Sequence, residues 1–195
     1  MISKKEKILR KITLRMRSLT GISPNGLGFM RVFLTPWIAL LLIETLKKES
    51  FALAIVVLVL YLLAVLTDLF DGPLARAMQE EGDITHNIGY GGVLDRVSDK
   101  FLIVFSLVPF GANPLIITII IGESLLLYQT LHAKTIKKKQ ATSAGKTKML
   151  LQTFLMPLLL VNIFYENEVF AVVVTSYMTI TVFFTVLSVV SHYRK

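Results

Sequence analysis

The sequence predicts an all-α fold: a bundle of six membrane-crossing helices, preceded by an amphipathic helix lying on the membrane surface. Three observations carry that prediction. Apolar residues make up 54% of the chain and charged residues only 17%, too apolar a balance for an ordinary soluble domain. The apolar residues fall into six runs. Basic residues crowd the ends of these runs on alternate sides, as they do where a chain crosses a bilayer repeatedly.

The elements follow in order. Lys4 to Leu19 carries seven basic residues and one acid, with Ile8, Ile12, Met16 and Leu19 at helical spacing. Residues 1–22 are therefore expected to form a juxtamembrane helix on an anionic membrane face. The stretch is not expected to be a secretory signal, because no small-residue cleavage site follows the apolar run. Ser23-Pro24-Asn25 marks a turn, and residues 23–195 are expected to form one membrane domain. Its apolar runs are Leu27–Ile43, Phe51–Leu66, Leu94–Pro109, Pro114–Leu131, Met149–Phe164 and Val169–Val190. Several fall short of the roughly 20 residues needed to span hydrocarbon. The second and third reach that length only if the acidic segments beside them are also helical. Pro73 would remove a helical hydrogen bond and is expected to kink or restart the second helix at Gly72.

Loop charge sets orientation. With the N-terminus inside, inner segments hold seven basic residues ahead of the first run, Arg76, six lysines from Lys134 to Lys148, and Arg194 with Lys195. The outer segments hold Lys47 and Lys48. A multi-pass protein of the cell's inner (cytoplasmic) membrane is expected, with both termini inside. The net charge of +8 then points to anionic lipids as partners and not to nucleic acid. With no cysteine, disulfides and thiolate metal sites are excluded.

The chemistry is expected between Asp68 and Asp99. Ionisable groups at membrane depth are costly, so they usually face a bundle interior and mark a functional site. Asp68 and Asp71 are spaced i,i+3, and Asp95 and Asp99 i,i+4. Each pair would share one side of its helix, with Cβ atoms about 5–6 Å apart. Two helices each offering two carboxylates make a hard-oxygen cage for divalent cations such as Mg²⁺. Gly72, Ala75 and Gly91 would let a ligand or a second backbone come close. Arg76 could grip a phosphate in two places.

The pattern Asp68-x2-Asp71-Gly72-x2-Ala75-Arg76, followed by Gly91-x3-Asp95-x3-Asp99, resembles the signature of the CDP-alcohol phosphatidyltransferases. All eight fixed positions are present. The spacer from residue 77 to residue 90 is longer than is usual in that family. Ser23-Pro24-Asn25, Arg31 and Pro36 are similar to the start of the family's first membrane helix. Gly145-Lys146-Thr147-Lys148 looks like the Gly-Lys-x-Lys segment of bacterial phosphatidylglycerophosphate synthases. Members using glycerol 3-phosphate or inositol phosphate tend to carry arginines in and after helix four, and none stands there in this chain.

The resemblance implies an enzyme that transfers a phosphatidyl group from a CDP-linked lipid, CDP-diacylglycerol, to an alcohol, with release of CMP. It implies that Asp68, Asp71, Asp95 and Asp99 bind two Mg²⁺ or Mn²⁺ ions. Asp99 and Asp95 would be the catalytic carboxylates, with Asp99 the base for the acceptor hydroxyl. Gly72, Ala75, Arg76 and Gly91 would receive the CDP-lipid. Lys134, Lys139, Lys146, Lys148 and Arg31 are the candidates for the acceptor, with glycerol 3-phosphate the first choice. The resemblance also implies a homodimer, and the site would lie at the cytoplasmic face. Alternatives are the same chemistry with inositol phosphate, another alcohol or a lipid as acceptor, or a carboxylate-lined carrier of divalent cations. Arg31 could instead snorkel to the interface. The Lys134–Lys148 loop could serve only as a topology signal. Glu123 could be a polar helix-packing contact.

Overall fold

A computed structural model describes residues 23–80, 88–111, 113–132, 143–165 and 167–193. The expected juxtamembrane helix lies outside the described residues. Among the described residues six long helices follow one another: α1 (Pro24–Lys48), α2 (Phe51–Glu80), α3 (Ile88–Leu107), α4 (Pro114–His132), α5 (Ser143–Phe164) and α6 (Glu168–Tyr193). A 3₁₀ turn, Val108–Phe110, closes α3.

Local chemistry sets the ends. Ser23 caps α1 by accepting from the Gly26 amide at 3.1 Å, with Pro24 in the first turn where its missing N–H costs nothing. Glu49 adopts a left-handed conformation, φ 48°, and ends α1. The side chains of Asn113 and Asn167 accept from the amides of Leu115 and Phe170, at the starts of α4 and α6.

Among the described residues five helices are long and apolar enough to cross a membrane: all but α3. The exception is the helix that carries Asp95, Arg96, Asp99 and Lys100. Helix α2 runs unbroken from Phe51 to Glu80 through Pro73, so the expected restart at Gly72 does not occur. Pro73 removes one helical donor, and one lost donor does not end the helix.

The helices pack in two groups. Helix α1 lies against α2 and α3, α6 lies against α4 and α5, and α3 touches α4. One core cluster joins Ile38, Leu42, Val57, Tyr61 and Leu102 to Met156 and Leu160 of α5. A second joins Ile103 and Leu107 to Ile116, Ile119, Leu155 and Met178. The outward faces carry large apolar side chains, including Phe33, Trp37, Phe154 and Phe183. A helix apolar on every side belongs in lipid.

Proline placement binds the two groups together. Pro157 has no N–H, so the carbonyl of Thr153 lacks its usual helical donor. The hydroxyl of Tyr61, reaching across from α2, donates to that carbonyl at 3.0 Å.

Candidate active site

Asp68 and Asp71 stand on α2, and Asp95 and Asp99 on α3; helix α1 supplies the group between them. Arg31 is fully buried, with 0% exposure, and its guanidinium meets all four carboxylates. Nη1 lies 3.3 Å from Oδ1 of Asp68 and 3.6 Å from Oδ1 of Asp95, and it donates to Oδ1 of Asp99. Nη2 donates to Oδ2 of Asp71 at 3.1 Å. Two hydroxyls complete the set. Thr67 accepts from Nε at 3.2 Å and Ser98 from Nη1 at 3.1 Å. Each hydroxyl sends its own proton to a helix carbonyl, Thr67 to Ala64 and Ser98 to Asp95, which leaves its lone pairs for the arginine.

This burial excludes snorkelling for Arg31. Partners 36 to 68 residues away in sequence hold it inside the bundle. Thr67 and Ser98 went unread in the sequence, although both lie inside the acidic segments. Their signal was position: each directly precedes an aspartate.

The carboxylates suit a hard cation. One oxygen from each of Asp68, Asp71 and Asp95 lies within 4.8 Å of the other two. Oδ1 of Asp95 is buried, and no hydrogen-bond donor reaches it among the described residues. A buried acceptor without a donor is costly, and a metal ion relieves it. Asp68 and Asp95 keep 37% and 43% of their side chains exposed, so a ligand can reach them. A methyl group added at Gly72 would meet nothing within 4 Å, so space is open beside the first pair. Ala75 lies on α2 and Gly91 on the first turn of α3. The side chain of Arg76, together with Lys134 and Lys139, lies outside the described residues.

A cavity of about 100 Å³ adjoins the cluster. Asp68, Asp99, Arg31 and Tyr61 line it together with Lys100, Glu123, Lys148 and Gln152. Lys148, on α5, forms a buried ion pair with Glu123 on α4. Gln152 donates to Glu123 at 2.8 Å and to Thr185 of α6 at 3.2 Å. Glu123 is thus a polar packing contact and more, since its partner also faces the cavity. Lys146 is exposed on the first turns of α5, outside this set.

A family model described as CDP-alcohol phosphatidyltransferase matches residues 21–187. The chain belongs to the CDP-alcohol phosphatidyltransferase family. The match takes in all four aspartates, Arg31 and the Glu123–Lys148 pair. This phosphatidyltransferase-family chain is also 28% identical over 132 residues to a CDP-diacylglycerol–glycerol-3-phosphate 3-phosphatidyltransferase of Cereibacter sphaeroides. The alignment covers 65% of this chain and 53% of the relative, so the chain spans about half the length of the curated relative it matches. No solved structure matches it.

Proposed function

We propose that the protein transfers a phosphatidyl group from CDP-diacylglycerol to an alcohol acceptor, glycerol 3-phosphate by first choice, and releases CMP. The observation that carries this reading is the convergence of Asp68, Asp71, Asp95 and Asp99 on Arg31 beside a cavity that Lys148 also lines. Family membership supports the reaction type, and the printed activity of the Cereibacter relative supports the acceptor.

Each group then has a task. Asp68, Asp71, Asp95 and Asp99 would hold Mg²⁺ or Mn²⁺, two ions by family likeness. Bound there, the metal would supply charge stabilisation for the diphosphate and acidify the acceptor hydroxyl. Asp99 faces the cavity and would take the proton of that hydroxyl, and Asp95 beside it would keep the carboxylates in register. Gly72, Ala75 and Gly91 leave room for the nucleotide, and Arg76 would hold its phosphate. Lys148, with Lys146, Lys134 and Lys139, would attract the phosphate of the acceptor. Residues 1–22 would lie on the membrane as an amphipathic helix, and residues 23–195 would form the catalytic domain. The loop charges support an inner-membrane protein with its site at the cytoplasmic face, and family likeness supports a homodimer.

The test uses the protein reconstituted in anionic liposomes with Mg²⁺ or Mn²⁺, CDP-diacylglycerol and a panel of alcohols. CMP release with glycerol 3-phosphate above all other acceptors is expected. CMP release with a different alcohol would correct the acceptor. No CMP with any acceptor, combined with metal flux across the liposome, would replace the enzyme by a cation carrier.

A further inference from the structure

Arg31 and a divalent cation would draw on the same carboxylates. The guanidinium reaches Asp68, Asp71, Asp95 and Asp99 at once, and three of these make up the compact oxygen group fit for a metal ion. A guanidinium and a divalent cation drawn to the same carboxylates repel each other at such short range. The charge balance gives the arrangement its logic. One guanidinium stands against four carboxyl groups, so it offsets the crowding of acids only in part. Four acids converging inside a membrane bundle with no cation at all would repel one another and draw the ends of α2 and α3 apart.

We propose that Arg31 is a built-in counter-cation. It holds the four aspartates together in the metal-free protein and withdraws from them when metal enters, so the affinity for metal is set by competition with residue 31. The inference rests on the metal-dependent reading above. Two features make the exchange possible. The cavity lies alongside Arg31, so the guanidinium has space to turn into. Thr67 and Ser98 hold it by hydrogen bonds to neutral hydroxyls, which cost less to give up than a bidentate bond to a carboxylate.

Linkage fixes the direction of the effect. A contact made only in the metal-free state lowers metal affinity by the free energy of that contact. Removing it therefore strengthens metal binding and weakens the metal-free fold.

The experiment measures Mn²⁺ binding to detergent-purified protein, from the spin-resonance signal of free Mn²⁺, together with thermal unfolding in EDTA and in saturating Mn²⁺. Arg31→Gln is expected to bind Mn²⁺ about tenfold more tightly than the wild type or better. Its unfolding temperature is expected to fall in EDTA and to recover toward the wild-type value in Mn²⁺. Arg31→Lys keeps a charge but cannot span four carboxylates, and it is expected to fall between the two. If Arg31→Gln does not fold, the comparison of Arg31→Lys with the wild type decides. Binding that is unchanged or weaker in the variants, or a loss of stability equal in EDTA and in Mn²⁺, would overturn the proposal while leaving the metal site in place. Failure of the wild type and every variant to take up Mn²⁺ would remove the metal site itself.

Discussion

Lys148 of α5 and Glu123 of α4 form an almost wholly buried ion pair, at 5% and 2% exposure. Gln152 bonds the same Glu123 oxygen and ties it to Thr185 on α6, so three helices meet at one carboxylate.

Breaking such a pair from one side leaves a buried charge without its partner. Glu123→Gln or Lys148→Met alone is expected to cost about 3–5 kcal/mol. The double variant should recover most of that stability. Thermal or denaturant unfolding in detergent, arranged as a double-mutant cycle, reads the difference. In the folded fraction, Lys148→Met should raise the KM for the acceptor more than that for CDP-diacylglycerol. Equal shifts in both would show that Lys148 does not meet the acceptor.

Asp71→Asn and Asp95→Asn each remove a charged oxygen from the carboxylate group. Losing even a partner that supports a metal ligand costs roughly 10–100-fold, and losing a ligand should cost at least as much in CMP release. EDTA should abolish turnover in the wild type, and Mg²⁺ or Mn²⁺ should restore it. Turnover that survives either substitution or the chelator would end the metal-dependent reading.

Gly122 lets α4 and α6 approach closely. A Cβ added there would lie 2.6 Å from Cγ2 of Thr185. Gly122→Ala should therefore destabilise by about 1–3 kcal/mol, the usual cost of overpacking. Adding Thr185→Ser removes that methyl group, keeps the hydroxyl that Gln152 bonds, and should restore the unfolding temperature. Failure of this rescue would place the strain elsewhere.

Tyr61→Phe removes the donor to the Thr153 carbonyl, the one that Pro157 leaves without its helical partner. A buried carbonyl left without a donor costs about 1–3 kcal/mol, which a drop in unfolding temperature should reveal. Combining Tyr61→Phe with Pro157→Ala returns a backbone donor to the helix. The penalty should shrink in that pair.

Much of the site was legible because its spacing is local. Asp68 and Asp71 share a helix face by their i,i+3 offset, and Asp95 and Asp99 by i,i+4; the structure brings the two pairs together. What joins them was not legible. Arg31 is one cation on an apolar run, and nothing within a few turns of it states that its partners lie on two other helices. Glu123 and Lys148, 25 residues apart, posed the same difficulty. The helix ends were legible only in part, since the sequence left the helicity of the acidic segments open. Apolar runs mark the lipid-facing length, whereas α2, α3 and α5 extend past those runs through their polar segments, to Glu80, from Ile88 and from Ser143. The restart that Pro73 suggested does not occur, because one lost helical donor does not end α2.

The unbroken course of α2 fixes the depth at which a substrate would meet the acids. At about 1.5 Å per residue, Asp68 stands roughly 26 Å along the axis from Phe51, close to the full thickness of a bilayer's oily layer at about 30 Å. With Phe51 at one boundary of that layer and the helix upright, the acids would sit at the level of the glycerol backbones on the other side. A diacylglycerol substrate could present its phosphorus there with both chains still in the leaflet, and the finished phospholipid could drift away sideways without ever being lifted from the membrane.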